Sequence, residues 1–230
     1  MLASSALVGA LVLLGGCSGS DRAGGATTSS TTRPTTTATT GTTTTTTVVA
    51  TTAPPPSTTT TVVRRAAGTH VYPVRPPSAT HYDRSHHDYP AADVFAPCGS
   101  TVVAVTDGTV QEVSRVDTWN PKVNSGDSRG GLFVSIVGDD GVRYYGSHLS
   151  RVDDGIDAGV RVTAGQPIAL VGETGDARGV GCHLHFGLSA PCGPGDWQRR
   201  RGEVAPQPYL DRWKVGQDGS PAGQIAAKGC

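Results

Sequence analysis

From about residue 64 onward, short runs of Val, Ile, Leu, Thr and Tyr alternate with Gly and Asp punctuation, the rhythm of half-buried strands joined by tight turns. The apolar and alternating runs predict strands over 93–95, 101–106, 109–115, 132–137, 142–148, 167–171 and 183–188. Asp107-Gly108 and the tetrad Gly138-Asp139-Asp140-Gly141 lie between such runs. Gly and Asp tolerate the positive φ of hairpin turns, so antiparallel connections are expected there. Helical periodicity is nearly absent: the 208–213 stretch reads as a short turn or helix that packs back, and 117–130 reads as a long loop. The pattern therefore predicts an all-β domain, an antiparallel sheet or sandwich core with long connecting loops.

Composition changes the picture for the N-terminal part. Residues 18–63 are dominated by Thr with Ser, Pro, Ala and Gly, and a segment so poor in large apolar side chains cannot bury a core. It is expected to be a disordered, partly polyproline-like linker, stiffest at Pro54-Pro55-Pro56. Residues 1–17 form an apolar run that ends in Leu14-Gly15-Gly16-Cys17, too short to span a bilayer comfortably. The ending resembles a bacterial lipobox. That resemblance implies lipidation of Cys17 and an extracytoplasmic, membrane-anchored protein facing the cell wall, although no Lys or Arg precedes Arg22. An ordinary secretory signal peptide and an uncleaved anchor stay open. The expected organisation is a lipoprotein signal peptide over 1–17, a linker over 18–63, and a folded domain over 64–230 with its core at about 81–190 and a C-terminal extension.

Charge excludes more than it suggests. With 19 basic and 19 acidic residues and a net charge of +0, nothing points to nucleic acid or to an electrostatically bound membrane, and a monomer that recognises its partner locally is expected. Setting Cys17 aside, Cys98, Cys182, Cys192 and Cys230 remain, an even number that suggests disulfides in an oxidising compartment. Three connectivities are possible and the sequence does not choose among them. No Cys-x-x-Cys pair favours thiolate zinc.

The candidate chemistry lies in three elements: His86-His87-Asp88-Tyr89-Pro90-Ala91-Ala92-Asp93, Tyr144-Tyr145-Gly146-Ser147-His148-Leu149 and Cys182-His183-Leu184-His185-Phe186. Residues i and i+2 of a strand share a face, so His183 and His185 address one volume. A catalytic zinc needs about three His or carboxylate ligands and an open position, and this set supplies them. No His-Glu-x-x-His helix occurs, which argues against the thermolysin-like class.

At these residues the chain resembles the lysostaphin-like, LytM-type zinc metalloendopeptidases of bacterial cell walls, which have a duplicated hybrid motif type β fold. The resemblance covers roughly residues 81–189 and includes Asp93-Val94-Phe95-Ala96-Pro97-Cys98-Gly99, residues 103–110, Ala164-Gly165-Gln166-Pro167-Ile168 and Gly172-Glu173-Thr174-Gly175. It implies one zinc ion (Zn2+) held by Asp93, His185 and a histidine upstream of Asp93. It implies His148 and His183 as catalytic residues that assist the attacking water and the developing oxyanion, and a peptidoglycan peptide as substrate. The family spacing His-x-x-x-Asp is stretched here, since Tyr89 stands at that offset. His87 is preferred to His86 because it lies an even number of residues from Asp93 and keeps its side if the segment is extended; His81 is a remoter candidate. The family's common Glu after the His-Leu-His-Phe run is Gly187 here, which would leave that carboxylate's supporting role vacant. Asp176 and Arg178, in the Gly-rich loop before the histidine pair, are left outside the site. The alternative function is a catalytically inactive relative that binds wall or activates another hydrolase; a disulfide-stapled adhesion module would leave the ordered histidines unexplained.

Overall fold

The computed structural model describes residues 69–230 apart from residue 194; the signal segment with Cys17, the Thr-rich linker and residues 64–68 lie outside the described residues. Nine strands follow in chain order: β1 (Val74–Arg75), β2 (Ala92–Phe95), β3 (Thr101–Val103), β4 (Gly108–Ser114), β5 (Leu132–Gly138), β6 (Arg143–Val152), β7 (Arg161–Val162), β8 (Pro167–Val171) and β9 (His183–Ser189). Three short helices close the chain: α1 (Trp197–Arg200), α2 (Gln207–Lys214) and α3 (Ala222–Ala226). All strand pairings are antiparallel, in the order β1-β3-β8-β6-β5-β4-β7, with β9 pairing to β6 and β2 pairing to β9. The all-β, antiparallel architecture is the one the polarity pattern predicts. Among the described residues no helix is long and apolar enough to cross a membrane.

The long strand β6 organises the sheet. Its first half, Arg143 to Ser147, pairs with β9, and its second half, Leu149 to Val152, pairs with β8. The change of partner falls at His148, which adopts a φ of 63°. β9 itself is buried on both faces. Leu184, Phe186 and Leu188 enter the core, each contributing about 1.5–3 kcal/mol by leaving water. His183, His185 and Gly187 point the other way, and loops cover them.

Several local expectations change. Gly138 to Val142 is a hairpin turn, closed by the Val142 carbonyl accepting from Gly138 N–H at 2.8 Å. Asp107-Gly108 is not, because β3 and β4 do not pair with each other. Asp107 instead ties neighbouring loops, its carbonyl accepting from Asp139 N–H at 2.9 Å and its carboxylate from Ala164 N–H at 2.7 Å. β3 ends at Val103, short of the expected 106, and β6 runs to Val152, past the expected 148. β1 and β7, two residues each, are too short to leave a periodic signal. The cysteines join as Cys98–Cys182 and Cys192–Cys230. The first pins the turn after β2 to the start of β9, beside His183; the second ties the C-terminus to the segment after β9.

Candidate metal centre

The site is built on the β2–β9 ladder. Asp93 lies directly opposite His185 and Phe95 opposite His183, and directly opposed residues of an antiparallel pair share a face with Cβ atoms about 5 Å apart. The imidazoles two residues apart on β9 and the carboxylate on β2 therefore converge without any loop. His185 Nδ1 lies 2.9 Å from Asp93 Oδ1, and His183 Nε2 lies 3.9 Å from the same oxygen.

His148 joins them by a different route. Ser147 faces His185 across the β6–β9 ladder, so regular alternation would send His148 to the opposite face. Its left-handed backbone, at the switch of strand partner, turns it back, and its ring centroid lies 4.8 Å from that of His183 and 5.9 Å from that of His185. Such a conformation costs a non-glycine residue about 1–3 kcal/mol. The surrounding ladder holds it: His148 N–H donates to the Gly130 carbonyl at 2.9 Å.

The upstream histidines reach Asp93 as well. His86 Nε2 and His87 Nε2 lie 3.6 and 3.8 Å from Asp93 Oδ2. Residues 84–90 are a series of bends rather than an extended run, so the alternation argument that separated the two histidines does not apply to them. Both, with Asp93, present ligand atoms within 4.8 Å of one another. Their surroundings differ. The His86 side chain is 7% exposed and packs on the His185 ring at 5.1 Å, whereas the His87 side chain is 76% exposed. His81 stacks on Phe95 at 5.2 Å, bridged to β2, and belongs to no metal-ligand cluster among the described residues.

Hydrogen bonds to carbonyls fix which ring nitrogens are free, because a carbonyl only accepts. His148 Nδ1–H donates to the Thr174 carbonyl and His183 Nδ1–H to the Gly181 carbonyl, each at 2.8 Å, leaving both Nε2 lone pairs toward the site. His185 is reversed: its Nε2–H donates to the Arg201 carbonyl at 2.9 Å, and its Nδ1 faces the Asp93 carboxylate. Both nitrogens of His185 thus face acceptors, an arrangement that a proton or a cation between Nδ1 and Asp93 satisfies. Tetrahedral ligands about 2.1 Å from zinc stand roughly 3.4 Å apart. The separations of 2.9, 3.6 and 3.8 Å around Asp93 bracket that spacing, so the donor set fits a zinc ion in both chemistry and scale.

Electrostatics separates the roles. Burial opposes ionisation of Asp93, but the His185 hydrogen bond and the surrounding imidazoles prevail and hold its carboxyl down at about 2. Burial, reinforced by His185 and His183, pushes the His148 imidazole down to about 3, so it stays neutral. Burial raises Asp176, whose carboxylate lies 3.9 Å from His148 Nε2.

Two features of the site were not resolved by the sequence, which placed groove specificity in loops such as 117–130 but not the contacts those loops make. The first is the Arg201 carbonyl that orients His185. Its signal is Gly187: a Cβ there would stand 2.4 Å from the Arg201 carbonyl oxygen, so the glycine admits the backbone that accepts from His185 Nε2–H. The second is the groove wall. Gly126, Asp127, Arg129 and Gly130 of the expected long loop, with Tyr89, Trp197 and Arg201, line a cleft beside His185 and His148. Asp176 and Arg178 part company, Asp176 lining the cleft and Arg178 pairing with Asp117 at 2.5 Å.

Residues 87–196 match the peptidase family M23 profile. This segment is a peptidase family M23 domain. The M23 segment begins at His87 and contains Asp93, His148, His183 and His185, while Arg201, which orients His185, lies beyond it. No curated protein matches the sequence. The structure is similar to the catalytic domain of the antimicrobial peptidase lysostaphin from Staphylococcus simulans, with a TM-score of 0.45 and 23% identity over 59% of this chain and 95% of that chain. It is also similar to a putative glycyl-glycine endopeptidase lytM from Ruminococcus gnavus, with a TM-score of 0.47 and 21% identity over 65% of this chain and 62% of that one. A zinc containing peptidase from Vibrio cholerae gives a TM-score of 0.42 and 23% identity over 60% of this chain and 38% of that one. The chain thus spans nearly all of the isolated lysostaphin domain, and well under two thirds of the longer Vibrio protein.

Proposed function

We propose that this chain is an exported zinc metalloendopeptidase that hydrolyses peptide bonds in the cross-links or stem peptides of peptidoglycan. The observation that carries the reading is the pair of opposed acceptors at His185 Nδ1 and Asp93 Oδ1, 2.9 Å apart, with the other His185 nitrogen committed to Arg201. Asp93 and His185 would hold the ion. Of the two upstream histidines, both within reach of Asp93, the buried His86 is assigned as the third ligand and the exposed His87 as an outer neighbour. Zinc in that position supplies Lewis acidity toward a scissile carbonyl and lowers the pKa of water.

The residues do the rest. His148, with its Nδ1–H tied to Thr174 and its Nε2 lone pair turned toward the site, is oriented to take a proton from the attacking water. His183, oriented the same way through Gly181, stands beside it with its Nε2 directed at the position of the reacting carbonyl.

An extracytoplasmic site, with a lipid on Cys17 and a monomeric domain reaching the wall through the Thr-rich linker, completes the proposal; the two disulfides favour an oxidising compartment. An inactive wall-binding relative drew its support from the stretched His-to-Asp spacing, and bends that return both imidazoles to Asp93 weaken it. The test is hydrolysis of purified sacculi by the full chain. Free amino groups should appear, stop on chelation and return with zinc; sacculi left intact by zinc-loaded protein would refute the proposal.

A further inference from the structure

The cleft holds three arginines, and two of them are committed. Arg200 is buried, ion-paired with Glu112 and stacked on Phe133 at 4.1 Å. Arg129 donates to Asn124 Oδ1 at 3.0 Å and faces Asp176 at 3.9 Å. Arg201 differs. Its guanidinium lies 3.9 Å from the Tyr89 ring centroid and 5.3 Å from that of Trp197, two aromatic walls of the same cleft. Its Nε, like that of Arg200, is buried without a hydrogen-bond acceptor, but unlike Arg200 it pairs with no carboxylate among the described residues. Tyr89, against which it stacks, lies 5.8 Å from His185. The Arg201 carbonyl already orients that histidine.

A planar guanidinium stacked on aromatic rings, with no carboxylate partner among the described residues, is organised for a planar anion that arrives from outside. We infer that Arg201 is the specificity anchor of the cleft and takes a free carboxylate of the peptide substrate, carried close to the scissile bond. The inference rests on the peptidase reading and narrows its substrate to peptides bearing an unamidated carboxylate at that position. A side-chain carboxylate and a terminal α-carboxylate present the same chemistry. Backbone and side chain of one residue would then serve both halves of the site, the carbonyl holding a metal ligand and the guanidinium holding the substrate.

The test compares three matched wall-derived peptides with zinc-loaded full-length protein: all carboxylates free, side-chain carboxylates amidated, and terminal carboxylate amidated. A charge-assisted, partly desolvated pair predicts that one amidation lowers kcat/KM by about 10- to 100-fold, and which one identifies the source. In Arg201→Gln that ratio should fall toward one, and in Arg201→Lys it should stay above one but below wild type. The ratio is internal to each protein, so a partly folded variant does not distort it. Equal rates on all three peptides for wild type, or an unchanged ratio in Arg201→Gln, overturns the inference. If wild type cleaves none of them, the peptidase reading falls and equilibrium binding of the same peptides decides: a 10- to 100-fold weaker Kd for one amidated form, lost in Arg201→Gln, sustains the anchor, and equal Kd values overturn it.

Discussion

At the residue scale the account turns on which histidine completes the set around Asp93. Burial argues for His86, since its 7% exposed side chain packs against His185, while His87 is three-quarters exposed. Zinc content by mass spectrometry should therefore fall sharply in His86→Ala and only slightly in His87→Ala; the opposite order would reassign the ligand. The sequence made Asp93, His148, His183 and His185 candidates because strand alternation and a family resemblance converge on them. Its preference for His87 over His86 rested on parity, which holds only for extended chain, and residues 84–90 bend. Alternation also could not explain His148, whose side chain reaches the site through a φ of 63° that no period reveals. A variant that tolerates that backbone, His148→Asn, should keep its zinc while kcat falls by about 100-fold or more, the scale of a general base. Unchanged kcat would remove His148 from the proton path.

At the element scale β9 carries the most information per residue: core on one face, chemistry on the other, and a glycine where the chain after α1 crosses. Gly187→Ala would press its methyl group into the Arg201 carbonyl. The expected result is a loss of about 1–3 kcal/mol in stability for an overpacked site, and, since histidine orientation supports metal affinity, zinc binding weaker by about 10- to 100-fold. Denaturant melts and competition with a chelator read the two effects separately; a variant with wild-type values in both would show that the crossing backbone does not hold His185. Most strands were legible from alternation, as β5, β8 and β9 show within a residue of their expected bounds. Partner choice was not. Asp107-Gly108 looks like a hairpin turn in any local window, and only the distant β7, β8 and β1 determine that β3 and β4 pair elsewhere.

At the scale of the whole molecule, the beginning and end of the described domain are tied together. His70 hydrogen-bonds Asp218 Oδ1 through Nδ1 at 2.8 Å, lies 3.2 Å from Asp140 Oδ2, and stacks on Trp213 of α2. Burial works against its protonation, but the two carboxylates prevail and raise its pKa above the ordinary value. A raised folded pKa means that this stabilisation is complete below about 6.5 and lost as pH rises through the folded value. Asp218→Asn should therefore cost more stability at pH 6 than at pH 8 in denaturant titrations, and an equal cost at both would sever the link. The Cys98–Cys182 bridge, closing 84 residues, contributes about 4–5 kcal/mol in the chain-entropy picture and anchors β9 beside His183. None of these tethers was legible beforehand, because four cysteines allow three pairings and His70 has no motif around it. What the molecule as a whole presents is a β frame whose C-terminal extension finishes the histidine-bearing side of its central ladder. The most direct test is native mass spectrometry of the full chain with its Asp93→Ala and His185→Ala variants. One zinc per wild-type chain and none in either variant is the predicted result; folded wild-type protein that takes up no zinc, or variants that retain it, would contradict the account.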